Sequence, residues 1–244
     1  MIYHGIKGVI FDLGSTLIEF ENRTWDEMTR DGQLLAYRNL VDDDHKLPEY
    51  EQFAVQMEEI KNDFRVVARS SLIEWDIRDA FTRYFTELGL PDPVAQSRRF
   101  VELFYTVIRV EVSLCDDALT TMQKIKRRGL KTGLMSNTIF PREEHEVDLK
   151  MFGLAPYLDF RMYSSEFGKR KPHPDIYLAG LRQIGLPAEQ VLFVGDRYIE
   201  DVWGPQETGM KGALKFREGR EYPEPMPEGF PVMQNISELL SIIQ

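Results

Sequence analysis

The sequence has little cysteine, no excess of basic residues and no long apolar run. Cys115 is the single cysteine, so no internal disulfide forms, and we expect a reducing compartment, the cytoplasm. Acidic residues outnumber basic residues by 40 to 30, and the resulting net charge of -10 argues against nucleic acid as a partner. No apolar run reaches the roughly 20 residues of a membrane span, and the start lacks a signal-peptide pattern, so we expect neither membrane insertion nor export.

The overall composition is that of an ordinary folded protein. Hydrophobic residues make up 43% and charged residues 29% of the chain, which excludes a disordered or fibrous protein. A length of 244 residues allows either one large α/β domain or a core domain that carries a smaller insertion.

Short apolar runs alternate with amphipathic segments, and this pattern predicts a parallel sheet with helices between its strands. Most runs show no hydrophobic–polar alternation, as expected for strands that are covered on both faces. The predicted strands are residues 9–13, 131–136, 159–163, 190–195 and 212–216, and the predicted helices include residues 116–128, 174–184 and 236–243. The fold class predicted is therefore α/β, with a doubly wound, Rossmann-like parallel sheet.

A long helical stretch interrupts this alternation near the start of the chain. Residues 21–110 contain helical patterning and no core-type strand. An insertion directly after the first strand lies over the carboxyl edge of the sheet, where open α/β folds bind ligands, so it is placed to act as a lid. We therefore predict a core domain of residues 1–20 and 111–244, with a helical cap domain of residues 21–110.

Polar residues follow the predicted core strands at four places, which converge if the strands form one sheet. Asp12 ends the first strand and precedes Gly14, Ser15 and Thr16, a loop suited to close backbone approach to an anion. Taken alone, Asp12 serves equally well as a residue that bonds the amides of its own turn.

The second and third places offer anion-binding groups. Ser136 and Asn137 follow an apolar run, and their side chains and backbone can hold anionic oxygens, although both residue types are also common helix caps. Lys171 stands next to Pro172 in a segment with two prolines, which restrict the backbone, and a rigid lysine neutralises a phosphate or a carboxylate.

The fourth place supplies two carboxylates, Asp196 and Asp201, at a spacing that lets both face one cavity. If Asp12 lies beside them, the mutual repulsion must be relieved by proton uptake or by a bound cation. Ligation by oxygen alone suits Mg²⁺, which keeps waters and bridges a substrate phosphate. No cluster of histidine and cysteine in the sequence supports zinc.

These four segments, together and in order, resemble the motifs of the haloacid dehalogenase superfamily of hydrolases. The resemblance covers almost the whole chain and rests on residues 9–16, 135–138, 171–177 and 194–201. It implies a doubly wound core, and the position of the insertion resembles the helical C1-type cap of that superfamily.

By this resemblance Asp12 is the nucleophile, which forms an aspartyl-phosphate. Asp12, Asp196, Asp201 and the backbone carbonyl of Gly14 are then the ligands of Mg²⁺. Lys171 is assigned to catalysis and to phosphate binding, and Ser136, Asn137 and Thr16 are the further phosphate-binding residues.

The sequence departs from the superfamily pattern at Gly14. Phosphatases of the superfamily normally carry a second aspartate there, which protonates the leaving oxygen and later activates water. General acid catalysis contributes roughly two to four powers of ten, so its loss predicts a preference for leaving groups that need little protonation.

Three functions are compatible with this departure. The first is a phosphohydrolase that acts on a small phosphate monoester, with Gly14 in place of the general acid. The second is a 2-haloacid dehalogenase, in which halide departs unprotonated, but those enzymes work without metal, whereas Asp196 and Asp201 are both present here. The third is a weakly active or regulatory binding protein that keeps the fold. The expected partner is a small phosphorylated molecule, and the sequence leaves the substrate and the oligomeric state open.

Overall fold

The computed structural model describes residues 1–20, 23–43 and 45–244. The strands are β1 Gly8–Phe11, β2 Ile18–Phe20, β3 Val112–Leu114, β4 Lys131–Ser136, β5 Phe160–Tyr163, β6 Val191–Gly195, β7 Lys211–Lys215 and β8 Val232–Met233. The helices are α1 Trp25–Asp42, α2 Tyr50–Ser71, α3 Ile77–Glu87, α4 Pro93–Glu111, α5 Ala118–Arg127, α6 Arg142–Met151, α7 Ser164–Phe167, α8 Pro174–Ile184, α9 Gly204–Glu207 and α10 Leu239–Ile242. Short 3₁₀ turns cover Ala155–Tyr157, Ala188–Gln190 and Ile236–Glu238, and a π-helical segment covers Tyr198–Trp203.

The core is a six-stranded sheet in the order β5-β4-β1-β6-β7-β8, and all of its strand pairs are parallel. Every residue of β1 and of β6 is buried, as expected for central strands with helices on both faces. The predicted doubly wound parallel sheet is confirmed, and the five predicted strands differ from the observed ones by no more than two residues at either end. The sixth strand, β8, was not predicted.

The predicted helices in the core also form, with small changes. The helix predicted over residues 174–184 is α8, and the helix predicted over residues 116–128 is the shorter α5. The last helix, predicted over residues 236–243, divides into a 3₁₀ turn and α10. Among the helices of the described ranges, none combines the length and the apolarity that crossing a membrane requires.

Four helices, α1 to α4, lie between β2 and β3. These two strands pair antiparallel, with Ile18 opposite Leu114, so both ends of the helical segment leave the core at one place. Inside the segment, the apolar stripe of α2 is buried together with aromatic residues of α3 and α4, and the ring centroids of Phe81 and Phe100 lie 4.4 Å apart. Residue 21, the predicted start of the cap, lies outside the described residues.

Candidate active site

The carboxyl ends of β1, β4 and β6 meet at one edge of the sheet. Phe11, the last residue of β1, is in register with Leu134 on one side and with Val194 on the other. Asp12 and Asp196 directly follow β1 and β6, and Ser136 is the last residue of β4. A cavity of about 310 Å³ opens at this edge and is lined by six of the predicted site residues, Asp12, Gly14, Ser136, Asn137, Lys171 and Asp196.

Three carboxyl groups form a buried cluster beside the cavity. One oxygen each of Asp12, Asp196 and Asp201 lies within 4.8 Å of the others. The π-helical segment Tyr198–Trp203 carries Asp201 back to the strand end, where its Oδ2 accepts a hydrogen bond of 2.9 Å from the backbone N–H of Arg197. A Cβ atom on Gly195 would lie 2.3 Å from the Asp201 carboxyl carbon, so the close approach requires glycine at the end of β6.

Lys171 is the cation at the centre of this cluster. Its Nζ donates to Asp12 Oδ1 at 2.8 Å and to Asp201 Oδ1 at 2.6 Å, and its side chain is 2% exposed. Burial lowers the pKa of Lys171, but Asp12 and Asp201 outweigh that effect, so the pKa lies above its ordinary value. The ammonium therefore stays charged and bridges two of the three carboxyl groups.

The carboxyl groups are not fully neutralised by this lysine. Burial raises the pKa of Asp12 to about 7, with a further rise from Asp201 and Asp196 and an opposing effect from Lys171. Burial also raises the pKa of Asp201. Asp196 Oδ1 is buried and has no hydrogen-bond partner among the described residues. An oxygen-only donor set with an unpartnered oxygen and excess negative charge fits a divalent cation.

Asn137 and Lys171 hold each other through both polar atoms of the asparagine side chain. Asn137 Nδ2 donates to the carbonyl of Lys171 at 3.0 Å, and the N–H of Lys171 donates to Asn137 Oδ1 at 2.8 Å. Ser136 is buried at the cavity wall. Thr16 is buried in the turn after Asp12, and its Oγ1 has no hydrogen-bond partner in the part of the chain that the structure describes.

Two arginines that sequence reasoning missed reach the site from the segment between β7 and β8. Arg220 Nε donates to Asp196 Oδ2 at 2.5 Å, and its Nη2 donates to Ser15 Oγ at 3.1 Å. Arg217 also bonds Ser15 and pairs with Glu19. The segment is rich in glycine, proline and glutamate, a composition typical of a surface loop, and its only signal for a role at the site is two arginines among acidic residues.

A buried polar network joins α4 to the core near the same cavity. The Tyr105 hydroxyl donates to Asp148 Oδ2 at 2.7 Å, and Arg109 Nε donates to Asp148 Oδ1 at 2.9 Å. The two ring nitrogens of His145 lie 3.2 Å from the Tyr105 hydroxyl and 2.8 Å from Thr138 Oγ1. Burial lowers the pKa of His145 to about 3, so this imidazole is neutral and serves as a packing and hydrogen-bonding group.

Comparison with known proteins matches most of the chain to one family. A family model described as haloacid dehalogenase-like hydrolase matches residues 6–209. A glyceraldehyde 3-phosphate phosphatase of Methanocaldococcus jannaschii is 26% identical over 98% of this chain and 97% of its own length.

Two solved structures share the fold over nearly their whole length. A 2-haloacid dehalogenase from Pseudomonas syringae pv. Tomato DC3000 has a TM-score of 0.66 at 21% identity, over 99% of this chain and 98% of its own. A HAD phosphatase from Thermococcus onnurineus has a TM-score of 0.64, also at 21% identity, over 97% of each chain.

Proposed function

The chain belongs to the haloacid dehalogenase-like hydrolases, and from that premise we propose that it is a Mg²⁺-dependent phosphohydrolase of small phosphate monoesters. The observation that carries the proposal is the buried cluster in which Lys171 lies 2.8 Å from Asp12 while Asp196 and Asp201 stand beside them. The full-length relative named as a glyceraldehyde 3-phosphate phosphatase supports a phosphate monoester as the substrate class.

Asp12 is the proposed nucleophile. A carboxylate oxygen of Asp12 forms a bond to phosphorus while the bond from phosphorus to the leaving oxygen breaks, which produces an aspartyl-phosphate. Water then attacks phosphorus, the bond to Asp12 breaks and orthophosphate leaves. Lys171 favours the ionised form of Asp12 and neutralises charge on the phosphoryl group.

The remaining polar residues are assigned by their contacts. Ser136 at the cavity wall and Thr16, whose buried hydroxyl has no hydrogen-bond partner among the described residues, are proposed phosphate ligands. Asn137 is proposed to act mainly by positioning Lys171, because both polar atoms of its side chain bond the backbone of that residue.

The metal site is proposed to consist of Asp12, Asp196, Asp201 and the backbone carbonyl of Gly14. Mg²⁺ bound there supplies positive charge that neutralises the carboxylates and the phosphate oxygens. Arg220 bonds Asp196 Oδ2, and Oδ1 of the same carboxylate, which has no hydrogen-bond partner among the described residues, would be the oxygen that holds the ion.

Residues 21–110 are proposed to be the C1-type cap, over a core of residues 1–20 and 111–244. Four residues of this segment, Trp25, Glu74, Tyr105 and Ile108, line the cavity together with Asp12, which is the position expected of a cap that selects substrates. A volume of about 310 Å³ suits a small-molecule substrate. With one cysteine and an acidic composition, we propose the cytoplasm as its location.

The proposal is tested by phosphate release from a panel of phosphate monoesters, with Mg²⁺ and with EDTA. We expect release to require the ion and to fall by roughly 10⁴-fold or more in Asp12→Asn. Asp175→Asn is the matched control, because Asp175 is half exposed and pairs with Lys169 outside the cluster. Unchanged release by folded Asp12→Asn rejects the proposal.

A 2-haloacid dehalogenase is the second candidate, because Gly14 lines the cavity and offers no side chain to protonate a leaving oxygen. Metal-free release of chloride from 2-chloropropionate, without phosphate release from any ester, would favour this candidate. Metal binding with turnover of neither class would favour a regulatory binding protein.

A further inference from the structure

One buried carboxyl group in the cavity has no role in the scheme above. Glu74 lies between α2 and α3, and its side chain is 1% exposed. It lines the same cavity as Asp12 and Gly14. A small ester that occupies this cavity therefore lies against a wall to which both Asp12 and Glu74 contribute.

Backbone bonds hold Glu74 beside the segment that carries Lys171. The N–H of Glu74 donates to the carbonyl of Gly168 at 3.1 Å, and the N–H of Arg170 donates to the carbonyl of Leu72 at 3.0 Å. Ile73 and Lys169 form an antiparallel bridge between these two bonds. Because Lys171 is bonded to Asp12, these contacts connect the backbone of Glu74 to the nucleophile through a short stretch of chain.

The contacts of Glu74 accommodate both of its protonation states. Ser164 Oγ lies 2.9 Å from Glu74 Oε2 and 3.1 Å from the carbonyl of Thr138, and it accepts a bond of 2.8 Å from the N–H of Thr138. A hydroxyl has one hydrogen to donate. Ser164 donates it to Thr138 when Glu74 is protonated, and to Glu74 when Glu74 is ionised.

The charge environment also suits an acid–base group. Burial raises the pKa of Glu74 above its ordinary value, and Arg170, with Nη1 3.6 Å from Glu74 Oε1, opposes that rise. Two other titratable groups at the cavity wall, His145 and Tyr105, are committed elsewhere. Both nitrogens of His145 are engaged, and the Tyr105 hydroxyl is bonded to Asp148.

We propose that Glu74 supplies the general acid and base that Gly14 cannot, an inference that rests on the phosphohydrolase proposed above. As the bond between phosphorus and the leaving oxygen breaks, the Glu74 proton passes to that oxygen, and Glu74 becomes a carboxylate. When water attacks the aspartyl-phosphate, its proton passes to Glu74, so orthophosphate leaves and the acid is restored.

A proton donor at Glu74 removes the preference for leaving groups that need little protonation, which Gly14 alone predicts. An enzyme without an acid discriminates strongly against alkyl phosphates, whose leaving alkoxides are poor. With Glu74 as the donor, the unmodified protein hydrolyses alkyl and activated aryl esters with little dependence on the pKa of the leaving group.

The experiment is a measurement of kcat/KM for phosphate esters over a wide range of leaving-group pKa, with Mg²⁺, in the unmodified protein and in Glu74→Gln. We expect kcat/KM to depend weakly on the leaving-group pKa in the unmodified protein and strongly in Glu74→Gln. Alkyl phosphates should lose roughly 10²- to 10⁴-fold in Glu74→Gln, and 4-nitrophenyl phosphate less than about tenfold. Glu200→Gln, a half-buried carboxyl at the same cavity, is the matched control and should keep the shallow dependence.

Two outcomes overturn the inference. One is a steep dependence in the unmodified protein, a result that needs no variant to fold. The other is equal loss on all esters in Glu74→Gln, which would assign Glu74 a structural role. Failure of the proposed function is distinguishable, because the unmodified protein would then release no phosphate from any ester, whatever the state of Glu74.

Discussion

At the residue scale, the balance of charge around Asp196 determines how much repulsion a bound cation would relieve. Lys171 and Arg220 are the two cations bonded to the carboxyl cluster among the described residues, against three carboxyl groups. Removing either cation increases the repulsion between carboxylates, and a divalent ion then relieves more of it.

We predict that, without metal, Arg220→Gln is less stable than the unmodified protein, because Asp196 loses its ion pair. The loss is limited to about 1–2 kcal/mol, because Arg220 is 29% exposed and solvent screens the pair. The rise in Tm on adding Mg²⁺ should be larger in the variant by about 2–4 °C. Thermal unfolding with EDTA and with Mg²⁺ measures both quantities.

Arg217→Gln is the control for this prediction, since Arg217 pairs with Glu19 and not with the cluster. We expect its Mg²⁺-induced rise in Tm to match that of the unmodified protein. If the Mg²⁺-induced rise in Tm were equal in Arg220→Gln and Arg217→Gln, Arg220 would not contribute to the charge balance of the carboxyl cluster.

The sequence predicted some site residues and missed others for a physical reason. Asp12, Asn137 and Asp196 follow buried strands, so the topology of a parallel sheet alone brings them to one edge. Glu74 meets Ser164 across 90 residues and Arg220 meets Asp196 from an irregular loop. Neither contact follows from a periodic pattern, because loop conformation and cap packing determine them.

At the element scale, the end of β6 and the π-helical segment after it form one unit that places Asp201. The apolar run predicted the strand, but the sequence contains no signal that separates a π-helical turn from an α-helical one. The strands β2, β3 and β8 were missed because each has two or three residues, too few for a pattern of alternation or burial.

We predict that Gly195→Ala weakens Mg²⁺ binding by at least about tenfold, because the new methyl group would lie 2.3 Å from the Asp201 carboxyl carbon and displace it. Isothermal titration with Mg²⁺ measures the affinity, independently of turnover.

The control is Gly180→Ala. Its new methyl group would lie 2.5 Å from Met135 Cε, the flexible end of a side chain that can move aside. We expect this variant to lose a little stability and to bind Mg²⁺ normally. If Gly195→Ala binds Mg²⁺ as tightly as Gly180→Ala, Asp201 is not a ligand.

At the scale of the whole molecule, the helical segment and the core are joined by a polar network that includes a buried, neutral histidine. His145 bonds Tyr105 of α4 and Thr138 of the core, and Arg109 and Asp148 complete the network. The fold class and the placement of the helical segment follow from apolar patterning. The polar network between the segment and the core could not be predicted, because its residues carry no pattern that distinguishes them from surface residues.

We predict that acid destabilises the protein through His145. Its pKa falls from an ordinary value of 6.5 to about 3 in the folded state, because burial disfavours the charged imidazole. Below pH 6.5 the unfolded chain binds a proton that the folded protein does not, so stability declines until the pH reaches about 3. The His145 contribution to this loss is up to about 5 kcal/mol.

The measurement is the free energy of unfolding in urea from pH 7 to pH 4, in the unmodified protein and in His145→Gln. Burial raises the pKa of Asp148, which acts in the opposite direction, so the difference between the two proteins isolates His145. The decline with acid should be shallower in His145→Gln. Equal slopes would show that His145 is not held neutral by the fold.

The central claim, that Asp12 attacks phosphorus, is tested most directly by rapid acid quenching of the protein during turnover of a phosphate ester with Mg²⁺, followed by peptide mass spectrometry. We predict a phosphoryl group on Asp12 that disappears as substrate is exhausted and is absent from Asp12→Asn. Turnover with no adduct on Asp12, or with an adduct on another residue, would contradict the account.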